Sequence, residues 1–132
     1  MLIPCSARAE GESNGTDEVT FTCISANPEG FYHEEDNFEY LETVDERAHN
    51  LFDGNTDTKW CFDFSQKAYV IFKASRLGAV SGYTITTGND SGDYAGRNPK
   101  SWTLYGSNDQ KNWTIIDQVS NDVVLQDENA TA

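Results

Sequence analysis

Short oxygen-bearing side chains are concentrated in one stretch, Asn50-Leu-Phe-Asp-Gly-Asn-Thr-Asp-Thr-Lys-Trp60. Gly54 permits a tight turn there because it adopts positive φ without steric cost. The residues that crowd oxygens around this turn are Asp53, Asn55, Asp57 and Thr58. Hard cations such as calcium are bound by about six to eight oxygens. The stretch therefore predicts either a calcium site or an Asx turn that only connects two elements. It is not an EF-hand, whose order of acidic residues is absent.

No complete set of catalytic residues stands out in the sequence. His33-Glu34 begins like the zinc-protease motif H-E-x-x-H, but position 37 is Asn. His33 and His49 are the only histidines of the sequence, and they lie in unlike settings. Nothing among the 22 acidic residues singles out a carboxylate pair for glycoside cleavage. We therefore expect that the protein is not an enzyme.

Charge and cysteine usage restrict the partners and the setting. With 22 acidic and nine basic residues the net charge is −13, which repels nucleic acids and anionic lipid headgroups. Because of this charge we expect no nucleic-acid partner. We also expect no membrane insertion, since no apolar run approaches about 18 residues. The three cysteines form no C-x-x-C pair. Cys23 and Cys61 lie in apolar surroundings, where free buried thiols are common, although a disulfide between them is an alternative.

The elements that would position such a site are short strands. Alternating or continuous apolar runs predict strands at Val19–Cys23, Ala68–Lys73, Val80–Thr87, Ser101–Tyr105, Trp113–Ile116 and Val123–Leu125. Residues 1–17 are predicted to be a linker or disordered arm, and residues 31–46 a long surface loop with one helical turn. Trp60, Trp102 and Trp113 are expected in the core. Short strands separated by turn residues indicate an all-β sandwich or barrel over residues 18–132.

Two motifs extend this interpretation. The stretch Asn50–Trp60 resembles the "(N)LFDG(N/D)xxTxW" segment of the coagulation factor V/VIII type C, or discoidin-like, domain family. Arg97-Asn-Pro-Lys-Ser-Trp-Thr-Leu-Tyr-Gly-Ser-Asn-Asp-Gln-Lys-Asn-Trp113 resembles that family's "RxPKSWTLYGSNDGxxW" segment. The resemblance implies a galactose-binding-like jelly roll, similar to family 32 carbohydrate-binding modules. Other members recognise phospholipid headgroups or protein partners.

The resemblance also implies a structural calcium. By position, its ligands would be the carbonyl of Asn50, a side-chain oxygen of Asp53, the carbonyl of Asn55, and the hydroxyl and carbonyl of Thr58. The family adds ligands from a last strand that we would expect beyond Ala132. The sandwich is therefore expected to lack that strand, or to have it replaced by the N-terminal arm or by a second chain.

Sugar sites in such modules lie on loops at one end of the sandwich and combine an aromatic ring with polar groups. Two loops carry such residues, and the candidates are Tyr32, His33, Asn89, Asp90, Tyr94 and Arg97. Structural roles are the alternative: Arg97 could pair with a loop carboxylate, Tyr94 could cover its own loop, and His33 could be a surface imidazole. Buried hydroxyl recognition needs preset partners, because an unpaired polar group costs about 1–3 kcal/mol.

These observations favour a non-catalytic carbohydrate-binding module of a secreted or cell-surface protein. The expected partner is a glycan of galactose type, and other domains of a larger protein could accompany the module. The alternative is a protein-adhesion or structural spacer module without a sugar ligand, which would show an exposed apolar patch.

Overall fold

The computed structural model describes residues 5–6, 19–35, 41–63 and 67–125, the first pair by backbone alone. Strands account for nearly all of its regular structure, and the only helices in these ranges are two 3-10 turns, at Ala48–Phe52 and Ala95–Arg97. The strands are β1 Cys5–Ser6, β2 Phe21–Asn27, β3 Gly30–His33, β4 Val44–Arg47, β5 Tyr69–Ala74, β6 Thr84–Ile85, β7 Trp102–Gly106 and β8 Thr114–Val119. The predicted all-β class is confirmed.

The strands form four antiparallel pairs, β1–β6, β2–β5, β3–β4 and β7–β8. Within the described ranges these pairs are not joined into larger sheets, so the two-sheet jelly roll stays a prediction. Cys5 and Ser6 belong to the predicted N-terminal arm, yet their backbone pairs with Ile85 and Thr84. The rest of residues 1–17 and the tail from residue 126 lie outside the described residues.

Strands β3 and β4 pair where a surface loop was predicted for residues 31–46, so that prediction was wrong at both ends of the range. Residues 34–35 and 41–43 are not strand, and residues 36–40 lie outside the described residues. Strand β4 carries consecutive charges, a composition that suggested solvent-exposed coil. Within this strand, Arg47 donates two side-chain hydrogen bonds to Asp45, at 2.9 and 2.7 Å, and the strand backbone pairs with β3. The hairpin begins at Gly30, whose φ of +108° favours glycine, and an added Cβ would collide with the carbonyl oxygen of Glu46.

The core of the described residues surrounds the first 3-10 helix. Ala48 and Leu51, each 3% exposed, pack with Trp60 and Phe62, and the two aromatic rings lie 4.6 Å apart. Trp60 is therefore in the core, as predicted. Cys61 is buried and Cys23 is half-buried, and both thiols are free, as expected. Burial raises the pKa of both, which makes them poor nucleophiles.

The β7–β8 hairpin is only partly covered. Trp102 is half-buried and its indole N–H donates to the Tyr83 hydroxyl at 2.8 Å. Trp113 is 43% exposed, so its predicted place in the core was wrong. Trp113 follows a turn organised by Asp109, whose carboxylate accepts the N–H groups of Asn112 and Lys111 at 2.8 Å each. These hydrogen bonds hold the pKa of Asp109 well below its ordinary value.

Two other predictions concern the end of the described part and the membrane. Val123–Leu125 forms a turn and not a strand, because the Asp122 carboxylate accepts the N–H groups of Val124 and Leu125 at 3.0 and 2.9 Å. Leu125 is nevertheless buried, at 1% exposure. Within the described ranges, no helix combines the length and the apolar character that crossing a membrane requires.

Candidate functional site

The oxygen-rich loop of residues 53–58 converges on the Thr58 hydroxyl. That hydroxyl lies 2.6 Å from Oδ2 of Asp53 and 3.0 Å from the carbonyl oxygen of Asn55. The other carboxylate oxygen of Asp53 accepts the N–H of Asn55 at 2.8 Å, which is an Asx turn. Three of the four residues predicted as calcium ligands therefore place their oxygens together.

Asn50, the fourth predicted ligand residue, closes the base of the loop. Its buried side-chain amide donates to the carbonyl of Asp45 at 2.7 Å and to the carbonyl of Lys59 at 3.0 Å. Its own carbonyl accepts the N–H of Asp53 at 3.4 Å. The side chain of Asn50 therefore holds the two ends of the segment at a fixed separation.

The donor chemistry of this loop suits a hard cation. It offers one carboxylate, a hydroxyl and backbone carbonyls, the oxygen types that calcium binds. Among the described residues, no group of three or more His, Cys, Asp or Glu side chains is placed to hold a metal. A cation here would rely mainly on carbonyl and hydroxyl oxygens, with Asp53 supplying the negative charge.

Adding calcium should therefore raise the melting temperature, and Asp53→Asn should remove that effect. At about 100 times the Kd a ligand stabilises the folded state by ~2.7 kcal/mol, or about 10 °C for a domain of this size. Asp57→Asn is the matched control, since only the backbone N–H of Asp57 takes part in the loop. The measurement is thermal unfolding with calcium or with a chelator. Equal melting temperatures in the two wild-type samples would contradict the cation site.

The second cluster joins Asp90, Tyr94 and Arg97. The Arg97 guanidinium carbon lies 3.7 Å from the centre of the Tyr94 ring, a cation–π contact. Arg97 Nη1 lies 3.7 Å from Oδ2 of Asp90. Tyr94 and the side chain of Arg97 are 49% and 43% exposed, so both are open to solvent. The structure brings these three predicted residues together, and Asn89 is exposed next to them in the chain.

Backbone turns explain why Tyr94 and Arg97 meet. The N–H of Tyr94 bonds to the carbonyl of Ser91 at 3.2 Å, and the N–H of Arg97 bonds to the carbonyl of Tyr94 at 2.9 Å. Successive turns of this kind place residues three apart on one side. Ser91 is fully buried and its hydroxyl donates to Asn98 at 2.9 Å, which fastens the turn to the body of the domain.

Lys59 completes this cluster and was not predicted. Its ammonium lies 2.8 Å from Oδ2 of Asp90 and 3.4 Å from Oε1 of Glu46. Burial lowers the pKa of Lys59, but the hydrogen bond to Asp90 and the charge of Glu46 outweigh burial, so its pKa is raised. The other oxygen of Asp90 is buried and accepts no hydrogen bond from the described residues.

Tyr32 and His33 point to opposite faces of the β3–β4 pair, so they cannot both face the cluster of Asp90, Tyr94 and Arg97. Tyr32 pairs with Asp45 across the hairpin, whereas His33 pairs with Val44. Because side chains alternate between the two faces of a strand, Tyr32 and Asp45 face one side and His33 and Glu46 the other. The ring of Tyr32 lies 4.2 Å below the Arg47 guanidinium, away from the side on which Glu46 reaches Lys59.

A groove of about 240 Å³ lies beside Arg47 and was not singled out in the sequence. Its lining residues come from β2, β4, the turn between β2 and β3 and the first 3-10 helix: Cys23, Ile24, Ser25, Ala26, Glu29, Arg47, Ala48 and His49. The side-chain hydrogen bonds from Arg47 hold the pKa of Asp45 at about 2, and His49 contacts the same carboxylate at 3.0 Å. Arg47 and His49 are therefore both paired with Asp45. The groove is lined by apolar side chains of β2 together with these charged or polar groups.

The domain is an all-β body that carries exposed polar and aromatic side chains on its loops. Residues 31–131 match the F5/8 type C domain, and the chain therefore belongs to that family. The resemblance inferred from the two motifs is confirmed, while the finer similarity to family 32 carbohydrate-binding modules stays a prediction. No curated protein and no solved structure matches the chain. F5/8 type C domains are discoidin-like binding or structural modules, commonly for carbohydrates or phospholipids, and are not a catalytic family.

Proposed function

We propose that the domain is a non-catalytic glycan-binding module of a secreted or cell-surface protein, with calcium as a structural ion in the oxygen-rich loop. The observation that carries the proposal is the pairing of Tyr94 and Arg97, two exposed side chains stacked at 3.7 Å on a turn that the buried Ser91 anchors. The ligand is a glycan, of galactose type, and other domains of a larger protein would present the module.

The chemistry of the cluster supports a sugar ligand. A guanidinium has five N–H donors in a planar fork, which suits neighbouring hydroxyl groups. Arg97 uses one of its nitrogens toward Asp90 at a loose 3.7 Å, so other donors stay available for hydroxyls. Asn89 adds an exposed amide that both donates and accepts hydrogen bonds.

The charge of the cluster favours a neutral sugar over a charged headgroup. Two cations, Lys59 and Arg97, face two carboxylates, Asp90 and Glu46. This local balance, together with the overall charge of −13, leaves no excess positive charge for an anionic lipid.

The test is a glycan array followed by titration of the best hit, with and without calcium. Tyr94→Ala and Arg97→Ala should each weaken binding by about tenfold or more, since a stacking or bidentate interaction in a small site contributes ~1.4 kcal/mol or more. Both variants should keep a melting temperature near that of the wild type, because the pair is exposed.

Two matched controls accompany these variants. Tyr69→Ala removes a tyrosine with the same 49% exposure on β5, and Arg76→Ala removes an exposed arginine. Neither control should change glycan binding. Strong unfolding in Arg97→Ala would show that this residue is structural, and would count against the proposed site.

A second candidate function, protein adhesion or a structural spacer, is favoured by a different observation. Several apolar side chains along β7 and β8 and just before β8 are exposed, and they comprise Tyr105, Trp113, Ile115 and Ile116, at 43–55% exposure. Large exposed apolar groups are common at surfaces that contact other proteins. The array separates the two functions: a folded, calcium-loaded protein that binds no glycan would support the adhesion module.

A further inference from the structure

Lys59 connects the two clusters described above. Its ammonium contacts Asp90 in the turn that carries Tyr94 and Arg97, and its side chain is only 14% exposed. Its backbone carbonyl accepts the Asn50 amide at 3.0 Å, so its main chain is fixed at the base of the oxygen-rich loop. The same ammonium also reaches Glu46 in β4, so one side chain joins the hairpin to the turn.

We infer that Lys59 is a positioning residue that holds the turn of residues 88–97 in its ligand-receiving conformation. The hold acts through Asp90, whose carboxylate is the point of contact. The effect on glycan affinity rests on the proposed function, whereas the effect on the conformation of the turn does not.

The surroundings of the Asp90 carboxylate explain why it depends on Lys59. Oδ2 has the Lys59 ammonium at 2.8 Å and the more distant Arg97 guanidinium at 3.7 Å. Oδ1 is buried and receives no hydrogen bond from the described part of the chain. A partly buried carboxylate without its closest cation is strongly disfavoured, so in the absence of Lys59 it would turn toward water.

Movement of Asp90 would loosen the turn around it. The carbonyl of Asp90 accepts the N–H of Asp93 at 3.2 Å, and the carbonyl of Ser91 accepts the N–H of Tyr94 at 3.2 Å. A change in the backbone dihedrals of Asp90 that exposes its carboxylate would break these hydrogen bonds. Tyr94 and Arg97 would then lose the fixed relation that the proposed site requires.

The experiment is hydrogen–deuterium exchange of the full chain, read at the amides of Ser91, Asp93 and Tyr94. Lys59→Met keeps most of the apolar length and removes the charge, and should accelerate these amides about tenfold through local opening. Lys59→Arg keeps the charge and should restore exchange toward the wild-type rate. Lys73→Met, an exposed lysine on β5, is the matched control and should change nothing.

Two results would overturn the inference: unchanged exchange at these amides in Lys59→Met, or equal acceleration at the amides of Trp102–Gly106, which would indicate global destabilisation. If Lys59→Met does not fold, Asp90→Asn removes the same ion pair from the other side. It must then loosen the same three amides, and unchanged exchange would again overturn the inference.

Glycan titration of the same variants separates this inference from the proposed function. A wild type that binds no glycan, with the exchange effect present, leaves the positioning role standing and contradicts the glycan module. If the wild type binds a glycan, and Lys59→Met binds it equally well with unchanged exchange, the glycan module stands and the positioning role is contradicted.

Discussion

Trp60→Ala should destabilise the domain by about 3–5 kcal/mol, the usual range for removing a fully packed tryptophan. Trp60 is 2% exposed and its ring lies 4.6 Å from that of Phe62. Its indole N–H lies 3.1 Å from the carbonyl oxygens of both Pro28 and Glu29. The variant therefore loses packing, leaves a cavity in the cluster that includes Leu51, and removes the donor that serves the turn before β3. Urea unfolding, monitored by circular dichroism, gives the free energy of unfolding of each variant.

Trp113→Ala provides the matched control for Trp60→Ala. The residue type and the substitution are the same, but Trp113 is 43% exposed. The expected loss of stability is about 1 kcal/mol or less, as for other surface positions. Equal losses in the two variants would contradict the placement of the core, because Trp60 is buried there and Trp113 is not.

Asn50→Asp preserves the shape of the side chain but should lower the free energy of unfolding by at least about 2 kcal/mol at neutral pH. The amide of Asn50 donates to two carbonyl oxygens, at 2.7 and 3.0 Å. A carboxylate in its place has no hydrogen to donate and sets negative charge against both carbonyls in a buried position. The free energy of unfolding, measured by urea titration, gives the loss.

The pH dependence of the Asn50→Asp loss identifies its cause. A protonated carboxyl can donate one hydrogen bond, so the difference from the wild type should shrink as the pH falls toward about 3, below the ordinary pKa of an aspartate. Asn108→Asp adds the same charge at an exposed position and should change stability little. A loss in Asn50→Asp no larger than that in Asn108→Asp would contradict the role of the Asn50 amide in closing the loop.

Strand positions were largely predictable where the hydrophobic pattern was clear. The alternation around Phe21 and the apolar run in β5 predicted strands close to those observed, since burial of one face or both dictates that pattern. Strand β4 carried no such signal. Its charged side chains are accommodated by the Arg47–Asp45 pair, which can be recognised only when both residues are placed in space.

The candidate site was predictable only where its residues lie close together in the sequence. Tyr94 and Arg97 are three residues apart, so a single turn brings them together and local sequence suggests the contact. Lys59 is 13 residues from Glu46 and 31 residues from Asp90, and no sequence pattern indicates that these three groups meet. Tyr32 looked like a member of the site, yet strand alternation turns it to the opposite face from Glu46.

Among the described residues, two glycines with positive φ set different limits on how this domain can vary. At Gly30 the opposing strand leaves no room for a methyl group, whereas at Gly54, with φ of +72°, an added Cβ meets nothing within 4 Å. Asn and Asp tolerate that backbone region better than other side chains. A randomised library selected for folding would therefore return glycine alone at position 30, and a small repertoire of glycine, asparagine and aspartate at position 54.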